Sequence, residues 1–139
     1  MMILLDTNIC IYIIKRKPEE VLHHFQQYHP GDIGISSITL AELQYGVAKS
    51  QAQKRNAEAL SEFLIPFEIL PFGESATQAY GAIRTVLEQQ GKIIGAMDLL
   101  IAAHAVSLDA VLVTNNVKEF KRVPDLKIEN WVNTKTTES

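Results

Sequence analysis

The sequence contains a single cysteine, Cys10. One thiol forms no internal disulfide and assembles no cysteine-based zinc site, so neither a disulfide framework nor a zinc finger is available. A reducing cytosol, and hence a cytoplasmic location, is the natural expectation for such a chain. Basic charge is also in short supply: 13 Lys and Arg stand against 16 Asp and Glu, a formal net charge of −3. Proteins that coat nucleic acid without discrimination are usually basic, because phosphate contacts drive that affinity. The balance argues against that class but leaves room for an acidic enzyme site beside a local basic patch. The N-terminal residues lack the basic n-region and apolar h-region of a secretory signal. The most apolar window, Ile93 to Val113, carries Asp98, His104 and Asp109. Each is costly at a bilayer centre, so the window reads as buried core and no membrane association is expected. Internal repeats, low-complexity tracts and linkers are absent as well.

What is present fits one ordinary domain. The chain has 139 residues, 47% of them hydrophobic and 21% charged, enough to bury a core without covalent or metal staples. The domain is expected over residues 1–132, followed by a polar C-terminal tail over 133–139.

Met2-Ile3-Leu4-Leu5 is a short continuous apolar run of the kind buried in parallel sheets. Ile33 to Ile35, Phe67 to Leu70 and Ala110 to Val113 read the same way, and Lys127 to Glu129 as a last strand. Helices are expected between them. They cover Ile9 to Lys15, a segment from Pro18 towards Tyr28, Ile38 to Ala48 after the capping hydroxyls of Ser36 and Ser37, and Gln51 to Leu64 before Pro66. Further helices cover Ser75 to Gln90, stopped by Gly91, then Ala96 to Ser107 and Asn115 to Phe120. This alternation predicts an α/β fold with a central, mostly parallel sheet of four to five short strands flanked by helices.

Ligands of open parallel sheets bind outside the carboxyl ends of the strands. Asp6-Thr7-Asn8 follows the first strand and Thr114-Asn115-Asn116 the fourth. Two more acids sit inside apolar helices: Glu42 on the face of Ile38, Tyr45 and Gly46, and Asp98 at the start of the helix holding Leu99 and Leu100. Singly, each has an ordinary explanation. Asp6 caps a helix, Asp98 is favoured by its own helix dipole, and Glu42 is partly exposed. Gathered together, three carboxylates repel and raise one another's pKa. A divalent cation removes that conflict, and hard oxygen ligands select Mg²⁺ or Mn²⁺ over zinc. Such an ion suits phosphodiester hydrolysis.

Several blocks in order resemble the PIN-domain ribonucleases, specifically the VapC-type toxins of bacterial toxin–antitoxin pairs. They are Leu5-Asp6-Thr7-Asn8, Ser36-Ser37-Ile38-Thr39-Leu40-Ala41-Glu42-Leu43, Ile94-Gly95-Ala96-Met97-Asp98 running on to Ala105, Val113-Thr114-Asn115-Asn116, and Glu119-Phe120. The resemblance spans nearly the whole chain and implies a PIN-like domain and a metal-dependent endoribonuclease. It places Asp6, Glu42 and Asp98 as the catalytic and metal-binding acids. It further implies an RNA target, a transfer-RNA anticodon loop leading, with initiator transfer RNA within that class. A VapB-type antitoxin laid across the acid site and a homodimer, supplied by the apolar helices from Ile9 and from Ile38, are implied too. The fourth acid common in the family falls at Asn116 here, a departure that weakens a second metal site. Glu119, one helical turn further on, is the alternative carboxylate.

Thr7, Asn8, Ser37 and Thr114 are supporting candidates, by hydrogen bonds to the acids; turn and capping roles are their ordinary alternatives. Lys15, Arg16 and Lys17 end the helix that starts at Asp6 and are candidate RNA phosphate ligands. Lys54-Arg55, and Lys118 with Lys121-Arg122, read as solvated surface. His104 reads as a hydrogen-bonded core histidine and Cys10 as a small core residue. Two rivals come from other classes, and the intact acid trio argues against the second of them, though Asn116 leaves it some room. A receiver-type phosphate-transfer domain would need paired adjacent acids after the first strand and a later lysine, and neither block is present as expected. A catalytically weak PIN-like RNA or protein interaction module would need only the scaffold.

Overall fold

A computed structural model of the chain describes residues 2–132; Met1 and the tail expected over 133–139 lie outside the described residues. Five parallel strands form one sheet in the order β3-β2-β1-β4-β5. They are β1 (Ile3–Leu5), β2 (Ile33–Ser36), β3 (Glu68–Leu70), β4 (Val111–Val113) and β5 (Lys127–Glu129). Seven helices connect or flank them: α1 (Thr7–Lys15), α2 (Glu19–Gln26), α3 (Ser37–Ala48), α4 (Gln53–Leu64), α5 (Glu74–Gln89), α6 (Ala96–Ser107) and α7 (Val117–Phe120). A 3-10 turn at Pro30–Asp32 leads into β2. The expected α/β architecture and all five expected strands are present.

Side chains alternate across a strand, and β1 uses both faces. Ile3 and Leu5 join a core with Ile9, Cys10, Ile13, Val21, Leu43 and Leu60 from α1 to α4. Leu4 points into a second core with Ile83, Leu87, Leu99, Ile101 and Phe120 from α5 to α7. Both faces are therefore covered, which is why the strands read as unbroken apolar runs and not as alternating ones. Cys10 and His104 are both core residues, as expected. Gly34 in β2 is a packing requirement: a Cβ there would lie 2.5 Å from Leu70 Cδ1 and 3.0 Å from Met2 Sδ. The far end of the sheet is closed by Trp131, wholly buried. Its ring stacks on those of His24 and Tyr28, and Glu129 accepts from both Trp131 Nε1 and Tyr28 Oη.

Several helix starts differ from expectation. α1 begins at Thr7, before Ile9, because Asp6 caps it directly. Pro18 is the N-cap of α2 and not a residue of its first turn. α7 begins at Val117, after the Asn115-Asn116 turn. Gly91, at φ 67, follows the α5 C-cap as expected of a helix stop. No helix among the described residues is long and apolar enough to cross a membrane. The feature that positions chemistry is the order reversal: β1 pairs with β2 on one side and β4 on the other. This is the switch point at which a crevice opens beyond the carboxyl ends of the strands.

Candidate active site

Asp6 leaves β1 and Thr114 leaves β4, on either side of that switch point. The Asp6 amide donates to Val113 O at 2.9 Å, so strand pairing itself holds the two segments together. Asp6 Oδ1 accepts from the Thr7 amide at 2.7 Å, capping α1. Asp6 Oδ2 accepts from Thr114 Oγ1, also at 2.7 Å. The capping role is thus real, and it uses only one carboxylate oxygen. Thr114 Oγ1 in turn accepts from the Asn116 amide at 3.0 Å, which orients its proton towards Asp6. Thr7 Oγ1 donates to Glu42 Oε1 at 2.5 Å. Asp6, Thr7, Glu42, Thr114 and the Asn116 amide are joined in this way.

Glu42 is half-buried on α3, but not on an apolar face packed into the core. Its expected companions Tyr45 and Gly46 are exposed, Tyr45 by 65%. The helix turns Thr39 and Leu43 inward instead. Glu42 is held by Thr7 and not by burial.

Asp98 lies in the first turn of α6, after Gly95 as N-cap. The helix dipole alone would lower its pKa, yet it is pushed up to about 8. Burial is the largest cause, followed by contact with the Glu119 carboxyl and then the negative charges of Asp6, Glu119 and Glu42. Asp6 is raised as well, mainly by burial; the Thr114 and Thr7 bonds oppose this, and the charges of Glu42 and Glu119 reinforce it. Asp6 and Asp98 therefore both feel the charges of Glu42 and Glu119. Glu119 Oε1 is buried and has no hydrogen-bond partner among the described residues. Gly95 leaves room above the pair: a Cβ there would sit 3.7 Å from Asp98 Oδ2 and 3.9 Å from Glu119 Oε1.

The structure brings Asp6, Glu42, Asp98, Thr7, Thr114 and Glu119 into one electrostatic cluster. Asn116, at the fourth-acid position, contributes its backbone amide, and the alternative carboxylate, Glu119, lies against Asp98. Ser37 is not part of the cluster. Its Oγ accepts from the Phe72 amide at 3.1 Å and so ties the end of β3 to α3. Asn8 is exposed on α1. Lys15, Arg16 and Lys17 are exposed beyond the first turns of α1. α1 has nine residues, which at ~1.5 Å per residue sets Lys15 about 13 Å along the helix from Asp6. Lys15 nonetheless borders a groove of about 290 Å³ shared with Glu42 and lined by Ile11, Ile14, Leu43, Val47 and Leu60. His104 is 1% exposed. Its Nδ1 lies 2.8 Å from Ser36 Oγ, and burial lowers its pKa against an opposing bond to the Pro71 carbonyl. It is a neutral core histidine outside the acid cluster. Gly95 was not singled out from the sequence, although its place three residues before Asp98 was visible.

The donor set consists of carboxylate oxygens, the chemistry of a hard divalent cation. A cation fits here on two observations: an orphaned buried oxygen on Glu119, and carboxylates held above their usual pKa partly by one another's charge. Among the described residues no three acids are already converged as a ready-formed ligand set.

Comparison with known proteins gives a consistent picture. The family model described as PIN domain matches residues 3–126. The chain is 51% identical over 132 residues to "Ribonuclease VapC2" of Rickettsia felis, covering 94% of this chain and 98% of that protein. It is 43% identical over 128 residues to "tRNA(fMet)-specific endonuclease VapC" of Shigella flexneri, covering 92% and 96%. Among solved structures, VapBC2 from Rickettsia felis bound to a promoter DNA fragment superposes with a TM-score of 0.89 at 49% identity, covering 95% of this chain and 100% of that one. DNA-bound VapBC from Salmonella typhimurium also gives 0.89, at 42% identity, covering 95% and 99%.

Proposed function

The chain belongs to the PIN-domain family, among its VapC ribonucleases, and from that premise we propose that it is the endoribonuclease toxin of a VapBC toxin–antitoxin pair. The substrate is structured RNA, with a transfer-RNA anticodon loop as the target and initiator transfer RNA the leading member of that class; cleavage inhibits translation. The observation that carries the reading is that Asp6 and Asp98, beside the switch point of the sheet, are both raised by burial and by the charges of Glu42 and Glu119. The tRNA(fMet)-specific relative supports the substrate class. RNA loops expose unstacked bases, the form in which sequence is read from RNA.

Asp6, Asp98 and Glu42, with Glu119 as the added carboxylate, would hold Mg²⁺ or Mn²⁺. When bound, the cation supplies positive charge that offsets charge developing on the phosphoryl oxygens. Thr114 and Thr7 fix the directions of Asp6 and Glu42 before substrate arrives. One carboxylate of the Asp98–Glu119 pair takes the proton of the attacking water. Attack occurs in line with the departing 3′ oxygen, giving a 3′-hydroxyl and a 5′-phosphate.

A VapB-type antitoxin is the partner, as in the VapBC complexes that superpose on this chain. The groove between α1, α3 and α4 is a fitting seat for an apolar antitoxin segment, with Glu42 at its edge. Such a segment would block the acid site. The protein acts in the cytoplasm as a homodimer. Of the two helices expected to supply the interface, α1 is turned into the core through Ile9, Cys10 and Ile13. The exposed Tyr45 side of α3 is the better contact.

The test is cleavage of purified transfer RNA by metal-stripped protein before and after Mn²⁺ is added, with new 5′-phosphate ends mapped. A discrete, Mn²⁺-dependent cut in one loop is expected. Absence of any discrete cut would overturn the enzyme and favour the interaction module.

A further inference from the structure

Four cations surround one shallow concavity. Lys92, Lys118, Lys121 and Arg122, with Gly91, line a depression of about 360 Å³. All four are exposed. Among the described residues, the ion pairs formed are Arg84–Glu88 and Lys127–Asp109, so none of these four is neutralised by an acid. A chain of net charge −3 has acids enough to pair such a cluster. Like charges at such exposure repel weakly, and an anion held between them turns that repulsion into attraction.

The elements that carry the depression also carry the acids. α7 buries Phe120 completely and turns the Glu119 carboxyl against Asp98. Its neighbours Lys118 and Lys121 are three apart and share the outer face. On the other wall, Lys92 lies three residues before Gly95, whose backbone borders Asp98 and Glu119. Arg122 joins the walls: its Nη1 donates to the Ile93 carbonyl at 3.1 Å. The depression is therefore continuous along the chain with the Asp98–Glu119 half of the acid site. Its shape is concave and its sign is opposite to that of the site.

We propose that Lys92, Lys118, Lys121 and Arg122 form a phosphate-binding subsite that holds the RNA backbone flanking the scissile bond. The inference rests on the nuclease reading above and adds to it the positioning residues of the substrate. The three lysines carry the phosphate charge. Arg122 both contributes charge and fixes the Lys92–Ile93 segment that leads to Asp98. An acidic protein would satisfy the same charges, but continuity with the acid cluster favours RNA.

The test is made in two arms. In the first, binding of a transfer-RNA stem–loop is followed by fluorescence anisotropy in an Asp6→Asn background, across a range of salt. Adding Lys92→Gln, Lys118→Gln and Lys121→Gln should weaken binding by about 10- to 100-fold. It should also make the slope of log K against log salt shallower by about 2, roughly 0.7 for each of the three lysine–phosphate pairings removed from a single strand. In the second, the triple variant of the active protein should show a raised KM, kcat within about twofold, and unchanged Mn²⁺ affinity. Lys54→Gln with Arg55→Gln, on α4, is the control for charge alone. Wild-type affinity and salt slope in the triple variant would overturn the subsite, as would an equal loss in the α4 control. Failure of the nuclease reading is seen separately, as absence of RNA cleavage by the unsubstituted protein.

Discussion

The two halves of the acid site are built differently. On the Asp6 side, both Asp6 oxygens accept bonds at 2.7 Å, and Glu42 accepts from Thr7. On the Asp98 side, two carboxyls face each other and Glu119 Oε1 has no partner among the described residues. Hydroxyl and amide donors stabilise the charged form of a carboxylate and fix its direction; an opposing carboxyl does neither. The first half is organised by the fold. The second is left for a cation or a shared proton to organise. Two pieces of chain with similar acids thus have opposite electrostatic requirements.

The largest effects should come from removing either half. Asp6→Asn and Asp98→Asn should each lower RNA cleavage on the order of 10³-fold, comparable with loss of a principal electrostatic group. Their stabilities should then separate them. Above about pH 8, where wild-type Asp98 is ionised, metal-free Asp98→Asn should melt at a higher temperature than wild type, because it removes the repulsion with Glu119. Asp6→Asn should gain less, because it gives up the charged form that the Thr114 and Thr7 bonds support against burial. Equal melting shifts would erase the contrast between the halves.

Next in size are the residues that support each half. Thr114→Val should destabilise the fold by about 1–3 kcal/mol, since a buried Asp6 oxygen loses its donor. Glu119→Gln should leave stability intact or raised, yet weaken Mn²⁺ binding by about 10- to 100-fold, as measured by calorimetric titration. A Glu119→Gln protein that binds Mn²⁺ like wild type would place Glu119 outside the cation site.

A smaller, graded effect follows from pH. Asp98 is held at about 8 against an ordinary 3.8, so the fold favours its protonated form. That contribution is fully present below about pH 4 and is lost as pH rises towards 8. Asp6, raised in the same direction, adds to it. Melting temperature of the metal-free protein should therefore fall across this window. Mn²⁺ should restore it most at the upper end, and Asp98→Asn should flatten the profile. A melting temperature that rises from pH 4 to 8 would contradict the assignment.

The smallest effect is expected at the end of α1. Neutralising Lys15, Arg16 and Lys17 with Gln should reduce cleavage only a few-fold and leave Mn²⁺ affinity unchanged. Unaltered cleavage would remove these residues from RNA binding.

How much of this was legible in the sequence varied with the range of the interaction. Strands stood out because both sheet faces are covered and the runs are unbroken. The acids Asp6 and Asp98 stood out because they follow such runs or interrupt an apolar helix. Glu42 was noticed for a wrong reason, since Tyr45 and Gly46 beside it face solvent. Ser37 misled because a hydroxyl at a helix start has several backbone partners within reach, and here it serves Phe72. The pairing of Asp98 with Glu119 depends on how α7 docks against α6, which periodicity in a four-residue helix does not encode. The grouping of Lys92 with Lys118 is invisible for the same reason.

The bond from Thr114 to Asp6 joins residues 108 positions apart, and this has a consequence in the order of synthesis. A ribosome makes Asp6 almost first, and Asp98, Thr114 and Glu119 long afterwards. Until that last third has emerged, the centre has half its acids and neither the hydroxyl nor the strand that aligns Asp6. Trp131 then stacks on His24 of α2, made over a hundred residues earlier. On the function proposed above, a chain still on the ribosome would thus lack an assembled cleavage centre.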